Sequence, residues 1–314
     1  MRFLDAAAVR AAAPMPELLD AVEAAYRDVA AGRDRSPLRT RVPLTSGDLL
    51  LMSGVREGGA GTTVKLVTVM PGNAARGLPT IHALVVWIDA TTGEPLVVLD
   101  GATLTAMRTG AASGVGTRLM ARRDASVLAV IGAGFQAPWQ VRAVRAARPI
   151  REVRIYARGA TRRQRFAEEM SAELGTEVRV TSAASAKEAV RGADVICCAT
   201  TSSTPVFDAG WVSPGAHVNG VGSFRKGMVE LPPELFARAA LVAVDQRDAA
   251  LEEAGDLVAA LEAGLLAADG CREIGSLPPD WVDGRPPGAI TVFKSVGLAI
   301  QDVAAAELVV GRSA

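Results

Sequence analysis

The first hundred residues combine one helical stripe of apolar positions with several short strand-like runs. After Pro16, the segment ELLDAVEAAYRDVAAG repeats apolar residues at helical spacing, which predicts an amphipathic helix that stops at Gly32. Four β-like runs follow, separated by turn signals such as SGD, PGN and TTGEP: LLLMSGV, TTVKLVTV, IHALVVWID and PLVVLD. This pattern predicts a small α/β domain with a helix and a meandering sheet.

The rest of the chain changes to an alternation of strands and helices. ATLTAMRTGAASGVGTRLMARR predicts a long connecting helix. From residue 126 the order is SVLAVIGAG, QAPWQVRAVRAA, EVRIYAR, ATRRQRFAEEMSAEL and EVRVTS, and further apolar strands follow. That order is typical of a doubly wound parallel sheet. We therefore predict the α/β class, with a Rossmann-type doubly wound parallel sheet domain plus a smaller α/β domain.

Composition and charge argue against several partners. Among 314 residues, Lys plus Arg and Asp plus Glu number 34 each, so no basic excess points to nucleic acid or to an anionic membrane. Three cysteines without regular spacing argue against a disulfide framework and a zinc site, and favour a reducing compartment. The first residues lack the uncharged core of a secretory signal, and no run approaches the ~20 apolar residues of a membrane span. We expect a cytoplasmic protein with no membrane or nucleic-acid partner.

One charged residue interrupts an apolar strand. In VKLVTV, Lys65 shares a face of the predicted strand with Val67 and Val69. An edge strand whose lysine reaches water, or protects the edge against aggregation, accounts for this pattern without any function. The strand alone does not decide between that interpretation and an inward-facing functional lysine.

A glycine motif lies where the first strand of the alternating region meets a helix. VLAVIGAGFQA places Gly132, Gly134 and Ala137 in the order G-x-G-x-x-A. In this fingerprint the first glycine makes the tight turn, and the second lets the backbone approach a pyrophosphate. The small third residue lets the helix pack on the strand. We therefore predict a dinucleotide site here.

The end of the second strand bears on the choice of dinucleotide. An Asp or Glu there would bind the ribose 2′-hydroxyl of NAD. The sequence instead has Arg158 near the strand end, with Arg162 and Arg163 just beyond it. A guanidinium can pair with a 2′-phosphate, although the same arginines also suit a solvated helix start. We favour NADP(H) as the cofactor, with NAD(H) as the alternative.

Other catalytic motifs are missing from the sequence. It has only two histidines, His82 and His217, and no H-E-x-x-H, Cys/His cluster, G-x-S-x-G or P-loop. We therefore predict no metal site. Beside the nucleotide motif there remain three cations of the first domain, Arg39, Lys65 and Arg108. They suit a substrate carboxylate and a proton transfer at nitrogen.

Several segments, in order over nearly the whole chain, resemble the ornithine cyclodeaminase/mu-crystallin family: SPLRTRV, LLLMSG, VKLVTVMPGNAARGLPTIHALVVWIDATTGEPLVVLDGATLTAMRTGAAS, VIGAGFQA, GVGSF, GDL and TVFKSVGLAIQDVAAAELV. The resemblance implies a homodimer. It also implies a substrate-binding and dimerisation domain at 1–116, completed by a C-terminal helix at 294–314, and an NAD(P)-binding Rossmann domain at 117–293. Family members include cyclodeaminases, alanine dehydrogenases, ketimine and pyrroline-2-carboxylate reductases, and mu-crystallin.

The resemblance assigns roles residue by residue. Lys65 matches the catalytic lysine and would be an inward-facing acid/base, its pKa lowered by burial and by neighbouring arginines. Arg39 and Arg108 match the arginines that hold a substrate carboxylate, and Met52 is expected to bind substrate. The residues expected to bind the cofactor are Thr109, Gly132, Gly134, Gln136, Ala137, Arg158, Thr200, Thr201, Val221, Ser223 and Lys294.

One position departs from the cyclodeaminase pattern. True cyclodeaminases of the family carry an aspartate after the glycines, and NGVGSFRKG places Ser223 at the corresponding position. Serine cannot act as the base that this aspartate provides. We therefore expect an NAD(P)-dependent oxidoreductase that acts on the C–N bond of a small α-imino or α-amino carboxylate. The alternatives are an ornithine cyclodeaminase with catalytic NAD, and a mu-crystallin-like protein that binds NADPH and a small ligand without turnover.

Overall fold

The computed structural model describes residues 1–313, without the side chain of Ala74, and it divides into two compact units. Met1–Arg108 and the chain from Leu298 onward form the first unit, and Thr109–Gly297 form the second. The boundaries predicted from the sequence differ from these by eight residues at the first junction and by four at the second. The one at 116/117 falls inside a helix, and the one at 293/294 falls inside a strand.

The described residues form fifteen strands and ten α-helices. The strands are β1 (Arg2–Leu4), β2 (Asp34–Arg35), β3 (Thr40–Leu44), β4 (Gly47–Arg56), β5 (Gly61–Val69), β6 (Ile81–Asp89), β7 (Pro95–Asp100), β8 (Val127–Ile131), β9 (Glu152–Tyr156), β10 (Arg179–Ser182), β11 (Val195–Cys198), β12 (His217–Gly220), β13 (Ala239–Val244), β14 (Cys271–Glu273) and β15 (Ile290–Lys294). The helices are α1 (Ala6–Ala12), α2 (Met15–Ala30), α3 (Gly101–Met120), α4 (Ala137–Ala147), α5 (Ala160–Leu174), α6 (Ala186–Val190), α7 (Pro233–Arg238), α8 (Arg247–Glu253), α9 (Gly255–Glu262) and α10 (Ala299–Arg312).

The first unit is built on a seven-stranded sheet. The strand order is β1-β7-β6-β5-β4-β2, and β3 also pairs with β4. All pairs are antiparallel except β1 with β7. The four strand-like runs predicted from the sequence correspond to β4, β5, β6 and β7, so the predicted meander is present.

Helices cover one face of this sheet. The predicted apolar stripe of α2 is buried throughout, and α10 packs against α2, β4 and β5. Along β5 the burial alternates: Lys65 and Val67 are buried, whereas Leu66 between them is 41% exposed. The strand therefore turns one row of side chains towards the helices and the other away from them.

The second unit is built on an eight-stranded sheet in which every pair is parallel. The order is β10-β9-β8-β11-β12-β15-β13-β14. A continuous apolar strand such as VLAVI is typical of parallel sheets, because helices cover both of their faces. The core includes Val130, Val141, Ile155, Phe166 and Val195, from strands and helices alike. The predicted Rossmann-type fold is confirmed.

The described part of the chain contains no helix that is both long and apolar enough to cross a bilayer. Cys197 and Cys198 are free thiols, fully buried in β11, and burial raises the pKa of the Cys197 thiol to about 12. They pack as small apolar residues of the parallel sheet.

Candidate active site

Lys65 lies in the middle of the first sheet. Its strand, β5, runs between β4 and β6, and the register places Lys65 between Met52 and Val85. The lysine is only 1% exposed. The edge-strand interpretation is therefore wrong, because the side chain reaches neither water nor a sheet edge.

A buried carboxylate binds two cations of this unit. Lys65 Nζ donates to Asp302 Oδ2 at 2.6 Å, and Arg108 Nε donates to Asp302 Oδ1 at 3.0 Å. Asp302 is fully buried and Arg108 is 5% exposed. Isolated charges are very costly to bury, so each group depends on the others. With all three ionised, the cluster carries one excess positive charge, which suits an anionic ligand.

The amide of Gln301 orients the guanidinium of Arg108. Arg108 Nη1 donates to Gln301 Oε1 at 2.9 Å, and the same oxygen accepts the N–H of Leu298 at 2.9 Å. Gln301 Nε2 in turn donates to the Tyr26 hydroxyl. The first turn of α10 and a buried side chain of α2 therefore fix Arg108 before any substrate binds.

The surroundings of Lys65 lower its pKa from 10.5 to about 7. Burial is the largest cause, and the positive charge of Arg108 adds to it. The carboxylate of Asp302 opposes this shift, whereas Arg39 adds to it. Burial alone would raise the pKa of Asp302, but Lys65 and Arg108 hold it below its ordinary value. At neutral pH the lysine can therefore both give and accept a proton.

The structure brings the predicted substrate residues of the first unit together. Arg108 shares Asp302 with Lys65, and Met52 is the direct β4 neighbour of Lys65. Arg39 is half-buried just before β3 and acts on Lys65 through its charge. Their contacts with a substrate remain predictions.

Sequence reasoning missed Asp302, Gln301 and Tyr26. The signal was present in AIQDVAAAELVV, because Asp302 shares a helical stripe with Ala305, Ala306 and Val309, and all of them are buried. A carboxylate on the apolar stripe of a helix needs a buried cation as its partner. Only the structure shows that this partner is Lys65.

In the second unit, the glycine motif lies at the switch point of the sheet, where β9 and β11 flank β8 on opposite sides. Gly132 has a φ of +119°, which favours glycine, and a Cβ there would lie 2.7 Å from the Ala199 carbonyl oxygen. A Cβ on Gly134 would meet no atom within 4 Å, so the backbone is open to an approaching group. Helix α4 begins at Ala137, directly after Gln136. This arrangement fits the diphosphate of a dinucleotide.

The three arginines after β9 separate into two kinds. Arg163 already has partners in the protein: it donates to Ser182 Oγ of β10 and to the Ala157 carbonyl, and it lies over the Tyr156 ring. Arg158 and Arg162 are exposed. These two remain the candidates for a 2′-phosphate, whereas Arg163 is held by its own contacts.

The comparisons with known proteins agree with this geometry. The model of the ornithine cyclodeaminase/mu-crystallin family matches residues 1–314. The chain belongs to this family. A Δ1-pyrroline-2-carboxylate reductase of Bacillus cereus is 40% identical over 297 residues, which are 93% of this chain and 90% of the relative.

Two solved structures similar to this family member hold a nicotinamide cofactor. One is the Thermococcus litoralis Δ1-pyrroline-2-carboxylate reductase in complex with NADH and L-proline, with a TM-score of 0.93 and 34% identity; the match covers 100% of this chain and 97% of that chain. The other is an archaeal alanine dehydrogenase dimer with bound NAD, with a TM-score of 0.88 and 33% identity. That match covers 99% of this chain and 95% of the other chain.

Most of the remaining expected cofactor residues of this family member follow strands of the second unit. Thr200 and Thr201 follow β11, Val221 and Ser223 follow β12, and Thr109 is a buried residue of α3. The Ser223 hydroxyl donates to the Met228 carbonyl at 2.6 Å, so its own loop uses it. Their contacts with a cofactor remain predictions.

Lys294 lies at the end of β15 and is fully buried. Its Nζ lies 2.9 Å from Asp256 Oδ2. Nearby, Asp245 Oδ2 accepts the N–H groups of Val296 and Gly297 at 2.9 and 2.8 Å, which fixes the turn after this strand. A direct contact of Lys294 with the cofactor remains a prediction.

Proposed function

We propose that the chain is an NAD(P)-dependent oxidoreductase that acts on the C–N bond of a small α-imino or α-amino carboxylate. Its reaction is of the ketimine or pyrroline-2-carboxylate reductase or amino-acid dehydrogenase type. The proposal rests on one observation: the amine of Lys65 is buried in a cluster of net positive charge, where its pKa is about 7. The Δ1-pyrroline-2-carboxylate reductases among the relatives support this substrate class.

The arginines account for the carboxylate of the proposed substrate. A guanidinium binds a carboxylate through paired N–H donors, and Arg108 is already oriented by Asp302 and Gln301. Arg39 adds a second positive charge close enough to act on Lys65. Prior orientation reduces the entropy lost when the substrate binds.

Lys65 accounts for the proton. In the reductive direction, protonated Lys65 donates to the imine nitrogen; in the oxidative direction, neutral Lys65 accepts a proton from the amine. A pKa of about 7 populates both states near neutral pH, which favours general acid–base catalysis. Asp302 holds the ammonium in place and keeps its pKa from falling further.

For the cofactor we propose NADP(H), with NAD(H) as the alternative. When bound, its nicotinamide exchanges hydride with the α-carbon of the substrate. Gly132 and Gly134 would hold the diphosphate, and the exposed Arg158 and Arg162 would pair with a 2′-phosphate. The absence of a carboxylate at the end of β9 supports this preference.

Ornithine cyclodeamination is not favoured. The Ser223 hydroxyl donates a hydrogen bond to the Met228 carbonyl, and a serine cannot act as the base that the resemblance places at this position. A binding protein without turnover is not favoured either, because a ligand site gains nothing from a buried lysine whose pKa lies near neutrality.

We also propose a homodimer formed through the uncovered face of the first sheet. Leu66, Leu84 and Val42 point away from the helices and are 40% to 44% exposed. Leu66 of β5 lies opposite Leu51 of β4 on one side and opposite Leu84 of β6 on the other. A contiguous exposed apolar patch is typical of an interface, and the archaeal alanine dehydrogenase is a dimer, which supports this assembly.

The proposal is tested by following the absorbance of NADPH and NADH with pyrroline-2-carboxylate as substrate. In parallel, ornithine and NAD are assayed for ammonia and proline. We expect ketimine-dependent oxidation that is faster with NADPH than with NADH. Ammonia and proline without net change of the cofactor would instead show a cyclodeaminase. If the protein binds NADPH but shows no turnover in either assay, the result would favour a binding protein.

A further inference from the structure

The second unit contains a buried charged network that no step of the proposed reaction uses. It joins Glu230, Asp256 and Lys294, none of which is exposed. Lys294 Nζ lies 2.9 Å from Asp256 Oδ2, and Asp256 Oδ1 accepts the main-chain N–H groups of Glu230 and Leu231. Three charged groups in the interior of one unit are costly unless each is compensated. The cost of burying these charges indicates that the network has a specific role.

The Glu230 carboxylate ties two separate segments together. Its Oε1 accepts the N–H of Thr200, and its Oε2 accepts those of Gly222 at 2.6 Å and Ser223 at 3.1 Å. A carboxylate has no N–H or O–H of its own and can accept all three bonds at once. The packing is so close that a Cβ on Gly222 would lie 2.6 Å from both carboxylate oxygens.

These segments follow the carboxyl ends of two adjacent strands. Residues 199–201 follow β11, and residues 221–223 follow β12. In the strand order both strands lie on the opposite side of β8 from β9 and β10. A dinucleotide lies across the carboxyl ends at such a switch point. With the diphosphate at the glycine motif and the adenosine half at the β9 arginines, as proposed above, the nicotinamide half would reach these two segments.

We propose that Glu230 is a positioning residue for the cofactor: its carboxylate holds residues 199–201 and 221–223 in the conformation that receives the nicotinamide half. Asp256 fixes the main chain of Glu230, and Lys294 supplies the counter-charge through Asp256. Lys294 therefore supports these segments through Asp256, in addition to the direct contact with the cofactor that the resemblance predicts. The inference rests on the proposed function for the class of cofactor, and on nothing in the substrate site.

The test is the Glu230→Gln variant of the full chain. Glutamine keeps the shape, but its NH₂ group faces backbone N–H donors and cannot accept from them. Three probes are titrated: NADPH, and two compounds that represent the adenosine half alone, adenosine 2′,5′-bisphosphate and ADP. We expect the Kd for NADPH to rise about tenfold, because bonds to a charged group are lost, while the adenosine halves bind as in wild type. Glu234→Gln, an exposed neighbour in α7, is the matched control.

An equal loss for NADPH and for the adenosine halves, or no loss at all, would overturn the proposal. If the variant does not fold, hydrogen exchange of the wild type decides. The proposal predicts slow exchange at the amides of Thr200, Gly222 and Ser223 without cofactor, and exchange that becomes slow only after NADPH is added would refute it. A wild type that binds NADPH but reduces no imino acid would contradict the proposed function alone, and the variant comparison would still decide this inference.

Discussion

Lys65 holds its proton weakly because it is buried and lies close to the positive charges of Arg108 and Arg39. Burial and Arg108 favour the neutral amine, while Asp302 favours the ammonium, and the balance brings the pKa of Lys65 to about 7. An unpaired buried lysine would lose its proton at lower pH, and an exposed one would keep it to about 10.4. The environment therefore matches the amine to proton exchange with an imine nitrogen near neutral pH.

Asp302→Asn tests this balance. Because Asp302 raises the pKa of Lys65, its loss lowers that pKa below about 7. Protonated Lys65 is the donor in reduction, so activity is present below its pKa and is lost as pH rises through it. In the pH profile of kcat/KM for reduction, we expect the decline at high pH to begin about one pH unit or more lower in Asp302→Asn than in the wild type. A decline that stays in place, or moves to higher pH, would contradict the assignment. The control is Glu307→Gln on the same helix, whose carboxylate pairs with Arg56.

At the level of single residues, the sequence indicates charged candidates but not their pairings. Lys65 and Arg108 could be named from the sequence, by their unusual setting and by the resemblance. Asp302 could not, because it lies 237 positions from Lys65 and its pairing depends on how α10 packs over β5. Glu230 was missed for the same reason, since the amides it binds lie on two other segments.

At the level of elements, local patterns predict most helices and strands but not their neighbours. The apolar stripe of α2, the strands β4 to β7 and the strand–helix alternation after residue 126 all follow from spacing. The position of β5 within its sheet did not follow, so an edge strand remained open until the pairing with β4 and β6 was known. Pairing joins distant segments, and short-range periodicity carries no information about it.

The preference for NADPH over NADH is predicted from the residues that follow β9. Arg158→Ala removes an exposed guanidinium at the position where a ribose 2′-phosphate is expected. We expect KM for NADPH to rise about tenfold, since charge-assisted bonds to phosphate are among the strong ones, while KM for NADH stays as in wild type. Arg165→Ala, on the exposed side of α5, should change neither value. An equal change with both cofactors would show that Arg158 does not read the 2′-phosphate.

At the level of the whole molecule, the uncovered face of the first sheet predicts the assembly. Leu66 and Leu84 lie next to each other on adjacent strands, because Leu66 is in register with Leu84. Changing both to Asp places charge in the proposed interface. We expect this variant to sediment as a monomer in sedimentation velocity experiments, whereas the wild type sediments as a dimer. Leu78→Asp, at an exposed apolar residue outside the sheet strands, serves as the control and should remain a dimer. A wild type that sediments as a monomer would contradict the proposed dimer.

The central claim is that Lys65 exchanges a proton with the nitrogen of an α-imino carboxylate during reduction by a nicotinamide cofactor. It is tested most directly by comparing wild type with Lys65→Met in NADPH oxidation with pyrroline-2-carboxylate, with the Kd for NADPH measured on both proteins. We predict that kcat falls about a thousandfold, the usual range for losing a general acid, while the variant binds NADPH as the wild type does. A Lys65→Met variant that turns over at the wild-type rate would contradict the claim.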